Sequence, residues 1–498
     1  MPDIVIIGSG VGGATAALEL ASSGANITIL ERGTQLPGIP ENRDARAIFQ
    51  GGHFRSTERW YDPHGKSFAG GNYYNHGGNS KFYGAVLSRF RQRDFDGVSY
   101  LEGDAPAWPF TYAEVAPWYD KAEQLYRVRG RASEDPTEPP RSMPLPFAPV
   151  PDEPVVAQIR QKLQTVGLHP FSLPLGIDID VWLKHGKTSW DGFPDARTGK
   201  MDAETCALIP ALAFQNVKLE SNARVQRLHR STDGTRIEAV EYVQDGETKM
   251  LRAKFFVLAA GAIPSAAILL ASGEEGLANR SGQVGRNLMS HNTSALIAFD
   301  RRLVNDAVYQ KTFGINDFYL SAGPGAHGAG LGNVQLLGRL SGIELKANAP
   351  YYIPERLLHW FSRHSMDFFL MSEDLPDANN RVRVDQGKIV LDWRRNNESI
   401  HRELIAQFRL RLREAGFQFE ITKPFDRRSP SHQCGTIRMG RDAALAPLDQ
   451  WGRAFDCANL FVSDASTFVS SAAVNPSLTV AALALRTANH IRTTELKA

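Results

Sequence analysis

Ile4-Val5-Ile6-Ile7-Gly8-Ser9-Gly10-Val11-Gly12-Gly13 stands at the start of the chain, and Ile27-Thr28-Ile29-Leu30-Glu31 follows shortly after. Four consecutive apolar, mostly β-branched residues read as a buried parallel strand. Ala14 to Ser22 is helical in composition, Gly24 ends the helix, and residues 27–30 form a second buried strand. The result is a βαβ unit of about 30 residues. Within Gly8-x-Gly10-x-x-Gly13, Gly8 permits the tight turn. Gly10 lets a pyrophosphate approach the backbone, and Gly13 lets helix and strand pack. The anion then sits at a helix N-terminus, where free N–H groups and the dipole favour it. Glu31 lies 18 residues after Gly13. A carboxylate there can accept both hydroxyls of an adenosine ribose and disfavours a 2′-phosphate. The unit therefore predicts a dinucleotide other than NADP.

Working outward, 498 residues suggest about three domains or two large ones. Apolar residues at 42% and charged residues at 22% exclude a disordered or fibrous chain. A net charge of +2 gives no electrostatic reason to expect nucleic acid or an anionic membrane. Cys206, Cys434 and Cys457 are too few and too scattered for a disulfide framework or a zinc site, and no metal is expected. No basic leader precedes Ile4. The longest apolar stretch, 255–271, is broken by Gly261, Pro264 and Ser265. The expectation is a cytoplasmic protein without a membrane span, export with a partner subunit staying open.

Residues 34–90 are rich in Gly, Asn and aromatics and predict loops and short helices. Eight prolines in 131–154 predict an extended connector. Val217–Leu219, Val225–His229 and Ile237–Val243 read as a β-meander, and Phe255–Ala259 as a buried strand entering a helix from Ser265 to Ser272. Arg381 to Trp393 reads as a hairpin around Asp385-Gln386-Gly387. Ser399–Ala415 reads as an amphipathic helix, 459–463 as a last strand and Thr479–Ile491 as a last helix.

NAD and FAD share the first fingerprint, and Leu258-Ala259-Ala260-Gly261-Ala262 bears on the choice. A second glycine turn after a meander, close under the dinucleotide, resembles a flavin fold more than a nicotinamide one. The C-terminal part carries Ser431-His432-Gln433-Cys434-Gly435-Thr436-Ile437-Arg438-Met439-Gly440, then Asn459 to Ser466, then Asn475-Pro476-Ser477-Leu478-Thr479. With Gly77-Gly78-Asn79-Ser80 and Gly84, these segments resemble the glucose-methanol-choline (GMC) flavoprotein oxidoreductases. The resemblance implies an α/β FAD-binding Rossmann-like domain of the GMC, p-hydroxybenzoate hydroxylase-like kind, plus an α+β substrate domain with an antiparallel sheet. The expected division is 1–130, 201–295 and 431–498 for FAD, 155–200 and 296–430 for substrate, and 131–154 between them.

The family's catalytic histidine falls on His432, and its partner, a histidine or asparagine, on Asn475. A histidine can take a proton near neutral pH. An asparagine amide can orient an alcohol oxygen without competing for that proton. The implied cofactor contacts are Gly8, Gly10, Gly13, Glu31 and Arg32; Gly77, Gly78, Asn79, Ser80 and Gly84; Val225, Ala260 and Gly261; Asp464, Ala465, Asn475, Pro476 and Thr479. Asp464 is expected at the ribityl chain and Val225 at adenine. Some members tether FAD through a histidine at the position of Phe82; phenylalanine implies non-covalent FAD. For His76 a flavin-lining role and a packing or capping role are equally open. His291 reads as structural, Cys434 as a small packing residue, and His53, His64 and His359 belong to no motif.

Trp108–Glu123 and Asp374–Val382 are similar to the branch holding pyranose oxidases, glycoside 3-oxidases and the large subunits of gluconate and fructose dehydrogenases, the second of them at the start of that branch's substrate sheet. That implies oxidation of a sugar or glycoside hydroxyl, with Trp360, Phe361, Phe368 and Phe369 as an aromatic face or as core. A non-sugar alcohol and a non-catalytic FAD-binding subunit remain alternatives. Oxygen, a quinone or a redox partner as acceptor, and a homo-oligomer or small partner subunit, stay open.

Overall fold

The computed structural model describes residues 1–321, 330–425 and 431–497. Residues 322–329 and 426–430 of the expected 296–430 segment, and Ala498 of the segment 431–498, lie outside the described residues. The opening unit forms as its sequence dictates: β1 (Ile4–Ile7), α1 (Val11–Ala21) and β2 (Ile27–Leu30). Around it stands a six-stranded sheet in the order 453–454, 457–462, 255–258, β1, β2, 217–220. Five strands are parallel, with Ile4 opposite both Phe255 and Ile27, and Phe256 opposite Leu460; the short 453–454 edge is antiparallel. Both faces are covered, so β1 is buried at every position and its side chains need no alternation.

A second six-stranded sheet is antiparallel throughout, in the order 419–424, 292–299, 365–372, 333–338, 313–315, 171–172. The helices Pro154–Thr165 and Glu398–Glu414 contribute Ile159, Leu163, Leu404 and Phe408 to its apolar core. Among the described residues no helix is long and apolar enough to cross a membrane.

Three expectations change. Val217–Glu220 is not part of the meander; it is the outer parallel strand, paired with β2 from Ile27–Val217 to Leu30–Glu220. The meander's third strand is Glu247–Arg252, an exposed, charged edge whose polarity hides it from a hydrophobicity reading. The 381–385/388–392 hairpin does not begin the substrate sheet. It joins Arg59–Tyr61 and Ser67–Ala69 in a separate four-stranded sheet through Val390 opposite Tyr61. The proline-rich stretch is irregular, with one isolated bridge between Arg129 and Phe147. Helices 262–270, 398–414 and 477–490 match their predicted positions to within three residues.

Candidate active site

A cavity of about 1060 Å³ runs from the carboxyl ends of the parallel strands to the antiparallel sheet. Gly8, Gly10, Glu31, Arg32 and Val225 line one end, and Ala260, Gly261, Asp464 and Ala465 the middle. Gly78, Asn79, Ser80, Phe82 and Gly84 form a wall, and His432, Asn475 and Pro476 line the other end. The start of α1 has no side-chain cap and no acid in its first turn, so its free N–H groups face a space suited to an anion. A Cβ on Gly10 would meet nothing within 4 Å, whereas one on Gly12 would come 1.6 Å from the Ser463 carbonyl oxygen. Gly12 is thus a close-packing glycine that the motif alone does not reveal, because its partner lies some 450 residues away. The donor set, the glycine-lined approach and the cavity's volume fit a flavin dinucleotide.

The two acids in this half of the cavity are held mainly by backbone. Glu31 accepts from Ser9 N and Oγ (2.9 and 2.7 Å) through Oε2 and from Gly33 N (2.8 Å) through Oε1. Asp464 accepts from Gly261 N (2.9 Å) and Ser265 Oγ (2.6 Å) through Oδ2, and from Ser466 N (2.8 Å) through Oδ1. Burial pushes the Asp464 carboxyl up, and these donors oppose that shift. Each acid ties a strand-end turn to a neighbouring loop while still lining the cavity. The Gly78–Gly84 wall is pinned by two buried lysines. Lys81 Nζ binds Asp202 (2.8 Å) and Glu204 (2.6 Å), and Lys200 Nζ donates to the carbonyls of Tyr83 (2.8 Å) and Phe193 (2.6 Å).

Three predicted contacts stand behind the wall. Gly13 packs on Gly8 and Ala259, Gly77 N donates to Ser9 Oγ (3.3 Å), and the Thr479 hydroxyl pairs with Tyr119 (2.7 Å). His76 is also off the cavity, on Ser221 Oγ at 2.8 Å.

At the far end the sequence underrated His291. Reciprocal backbone bonds between Met289 and Cys434 (3.0 and 2.9 Å) align the two segments, so the residues two before and two after come together. His291 Nδ1 then lies 3.0 Å from His432 Nδ1, and His291 Nε2 2.9 Å from the Ser471 carbonyl oxygen. A carbonyl only accepts, so His291 carries its proton on Nε2, and a neutral imidazole has its other nitrogen bare. His432 must therefore donate through Nδ1–H, which leaves its Nε2 as an acceptor. That nitrogen faces Asn475 Nδ2 at 3.4 Å, a contact too long to be a strong hydrogen bond. Burial first, and then the proximity of His291 and Lys311, hold His432 well below the usual histidine range. Burial also lowers His291, while Asp374 opposes. Asp374 fixes this pair, accepting from Ser290 N (2.6 Å) and His291 N (2.9 Å). His291, Lys311 and His432 all take left-handed backbone conformations, with φ of 53°, 55° and 57°. Such conformations cost on the order of 1–3 kcal/mol each and concentrate where geometry serves function.

Sequence reading also missed Lys311, Asp191 and Gln335. Lys311 Nζ sits 3.2 Å from Asp191 Oδ2, 3.1 Å from Gln335 Oε1 and 4.8 Å above the Phe369 ring. Lys311, Asp191 and Phe369 line the cavity. The only local signal was in the strand 333–338, where Asn333 and Gln335 place two amides on one face of a buried run. Of the four candidate aromatics only Phe369 lines the cavity, beside Phe425 at 5.5 Å. Phe361 stacks on Phe299 (5.2 Å), Trp360 packs there too (5.8 Å), and Phe368 is core against Phe408 (5.0 Å). No residue of 108–123 lines the cavity; Trp108 is buried on Ser470 Oγ at 2.8 Å.

Comparison with known proteins agrees with this fold and with a flavin cofactor. Models described as GMC oxidoreductase match residues 182–293 and 393–484, and an FAD binding domain matches 3–41. The chain is 27% identical to 6'''-hydroxyparomomycin C oxidase of Streptomyces lividus and 28% to paromamine 6'-oxidase of Streptomyces fradiae. In both cases 98% of this chain and 91% of the relative are covered. It is 27% identical to 2-methyl-1,2-propanediol dehydrogenase of Mycolicibacterium austroafricanum, over 98% and 95%. The crystal structure of pyridoxine 4-oxidase from Mesorbium loti superposes with a TM-score of 0.68 at 18% identity, covering 98% of this chain and 99% of that one. With matching models on both sides of the cavity, the chain belongs to the GMC oxidoreductases and is an FAD-dependent alcohol oxidoreductase.

Proposed function

We propose that the protein oxidises a secondary ring hydroxyl of a pyranose or glycoside to a ketone, with His432 Nε2 as the base. The observation that carries this reading is the fixed tautomer: His432 turns a bare nitrogen toward Asn475 where both line the cavity. The substrate hydroxyl meets both groups from the cavity side and gives its proton to Nε2 as the carbinol C–H bond breaks and the carbonyl forms. Bound FAD supplies the hydride acceptor. Asn475 Nδ2 donates to the reacting oxygen and steadies the negative charge that develops there. The imidazolium that results keeps its Nδ1–H on His291, so one site holds both protons. Burial keeps His432 neutral at pH 7 before substrate arrives, which is the form a base requires.

The sugar assignment is supported by the cavity wall beyond this pair. Asp191 and Lys311 offer an acceptor and a donor for ring hydroxyls, and Phe369 and Phe425 an apolar face for a ring or an aglycone. The names of the two Streptomyces relatives favour a second reading, oxidation at an exocyclic C6 hydroxyl of an amino sugar, for which the Asp191 carboxylate could receive an ammonium. Anaerobic mixing with sugars, glycosides, amino sugars and simple diols, followed by NMR of the product, separates the readings. Flavin bleaching with a ring ketone supports the first, and an aldehyde at C6 the second. Bleaching by simple diols alone moves the assignment to a non-sugar alcohol.

A further inference from the structure

We infer that Gln335 is a positioning residue that fixes which way round the Asn475 amide stands, and that Lys311 is its anchor. The inference rests on the proposed pairing of Asn475 with His432. An amide has two nearly isosteric ends with opposite hydrogen-bonding character, so packing alone cannot orient it. Orientation must come from a neighbour that is itself oriented.

Here a directional chain of side chains supplies it. Lys311 Nζ can only donate, so the Gln335 atom 3.1 Å away is its carbonyl oxygen. Gln335 Nε2 then points the other way and donates to Asn475 Oδ1 (2.6 Å) and Asn333 Oδ1 (2.8 Å), which uses both hydrogens. The same polarity is imposed from the opposite end. The Asp135 carboxylate, paired with Arg91, can only accept; Asn316 Nδ2 donates to it (2.7 Å), and Asn333 Nδ2 donates to Asn316 Oδ1 (2.6 Å). A cation at one end and a carboxylate at the other leave one arrangement for the three amides between. Gln335, Asn333 and Asn316 are all buried, so an inverted member would leave like atoms facing each other without water.

The consequence falls on the reacting oxygen. With Oδ1 taken by Gln335, Asn475 presents only N–H toward His432 Nε2 and the substrate. The reversed amide would place a carbonyl lone pair against the oxygen as it gains negative charge. The groups facing position 335 are Lys311 directly, Asp191 through Lys311, His432 through Asn475, Asp135 through Asn316, and the apolar Phe369 on the paired strand.

The test compares substitutions of different shape and polarity. Gln335→Glu is isosteric but turns an acceptor toward Asn475, so it favours the reversed amide. Gln335→Met changes the shape and imposes no direction. Anaerobic stopped-flow reduction is measured on the flavin-loaded protein with the substrate that bleaches the wild type. The expected ranking is wild type, then Gln335→Met, then Gln335→Glu. The last loses ~10²-fold in the limiting reduction rate, with flavin content intact and substrate half-saturation within about threefold. A role in packing alone predicts the reverse, the isosteric variant being the milder. Lys311→Met, which frees the Gln335 amide, should slow the same rate by less and serves if Gln335→Glu loses its flavin. Asn475→Ala runs alongside. If it is slow while Gln335→Glu and Lys311→Met reduce within twofold of wild type, the inference is overturned. If Asn475→Ala is itself within twofold of wild type, the catalytic pairing fails first.

Discussion

The two ends of the cavity are built from different materials. At the α1 end, Glu31 and Asp464 are held mainly by backbone N–H groups of glycine and serine turns, with Ser9 and Ser265 hydroxyls beside them. At the His432 end, side chain answers side chain, from His291, anchored on the Ser471 carbonyl, through His432 to Asn475, Gln335 and Lys311. Backbone geometry is set by the fold and survives many substitutions. A side-chain relay depends on every member having the right donor or acceptor. Substitutions at the first end should therefore weaken cofactor retention, and those at the second should slow flavin reduction while leaving the cofactor bound.

His432→Ala is the strongest attempt to break that contrast. It should retain FAD and lose ~10²–10⁴ in the rate of flavin reduction, read by anaerobic stopped flow. His291→Ala should cost on the order of 10–10² in the same rate with flavin still bound, because His432 is then free to carry its proton on Nε2, where the substrate's proton must go. Loss of flavin from either variant would erase the distinction between the two ends. Glu31→Ala should do the opposite. It removes charge-assisted bonds worth roughly 1.5–3 kcal/mol, so the protein should purify with partial flavin and recover a near wild-type reduction rate when FAD is added. A smaller effect sharpens the cofactor end. Phe82 offers no nucleophile where some relatives tether flavin, so acid precipitation should release all the yellow colour into the supernatant.

The same contrast explains what could be read from sequence. β1, α1, β2 and Glu31 follow one another within 31 residues, so local periodicity and spacing reveal them. His432, Asn475 and Asp464 came from resemblance to a family, which carries long-range information in motif form. Gly12, Lys311 and Gln335 escaped because each acts on a partner far along the chain: Ser463, Asp191 and Asn475. His291 was visible in its segment, but a lone histidine beside an apolar run carries no sign of a second histidine 141 positions on. The strand 247–252 was missed for a different reason, since an exposed edge need not be apolar.

The central claim is that a neutral His432, its tautomer set by His291, takes the substrate proton. Its pH profile tests this most directly. Burial lowers His432, so its neutral form should persist below the ordinary histidine value of 6.5. The limiting rate of anaerobic flavin reduction should accordingly stay level from pH 8 down through 6.5 and fall only in more acid solution. A rate that halves at or above pH 6.5 in the wild type, and keeps the same midpoint in His291→Ala, would contradict the account.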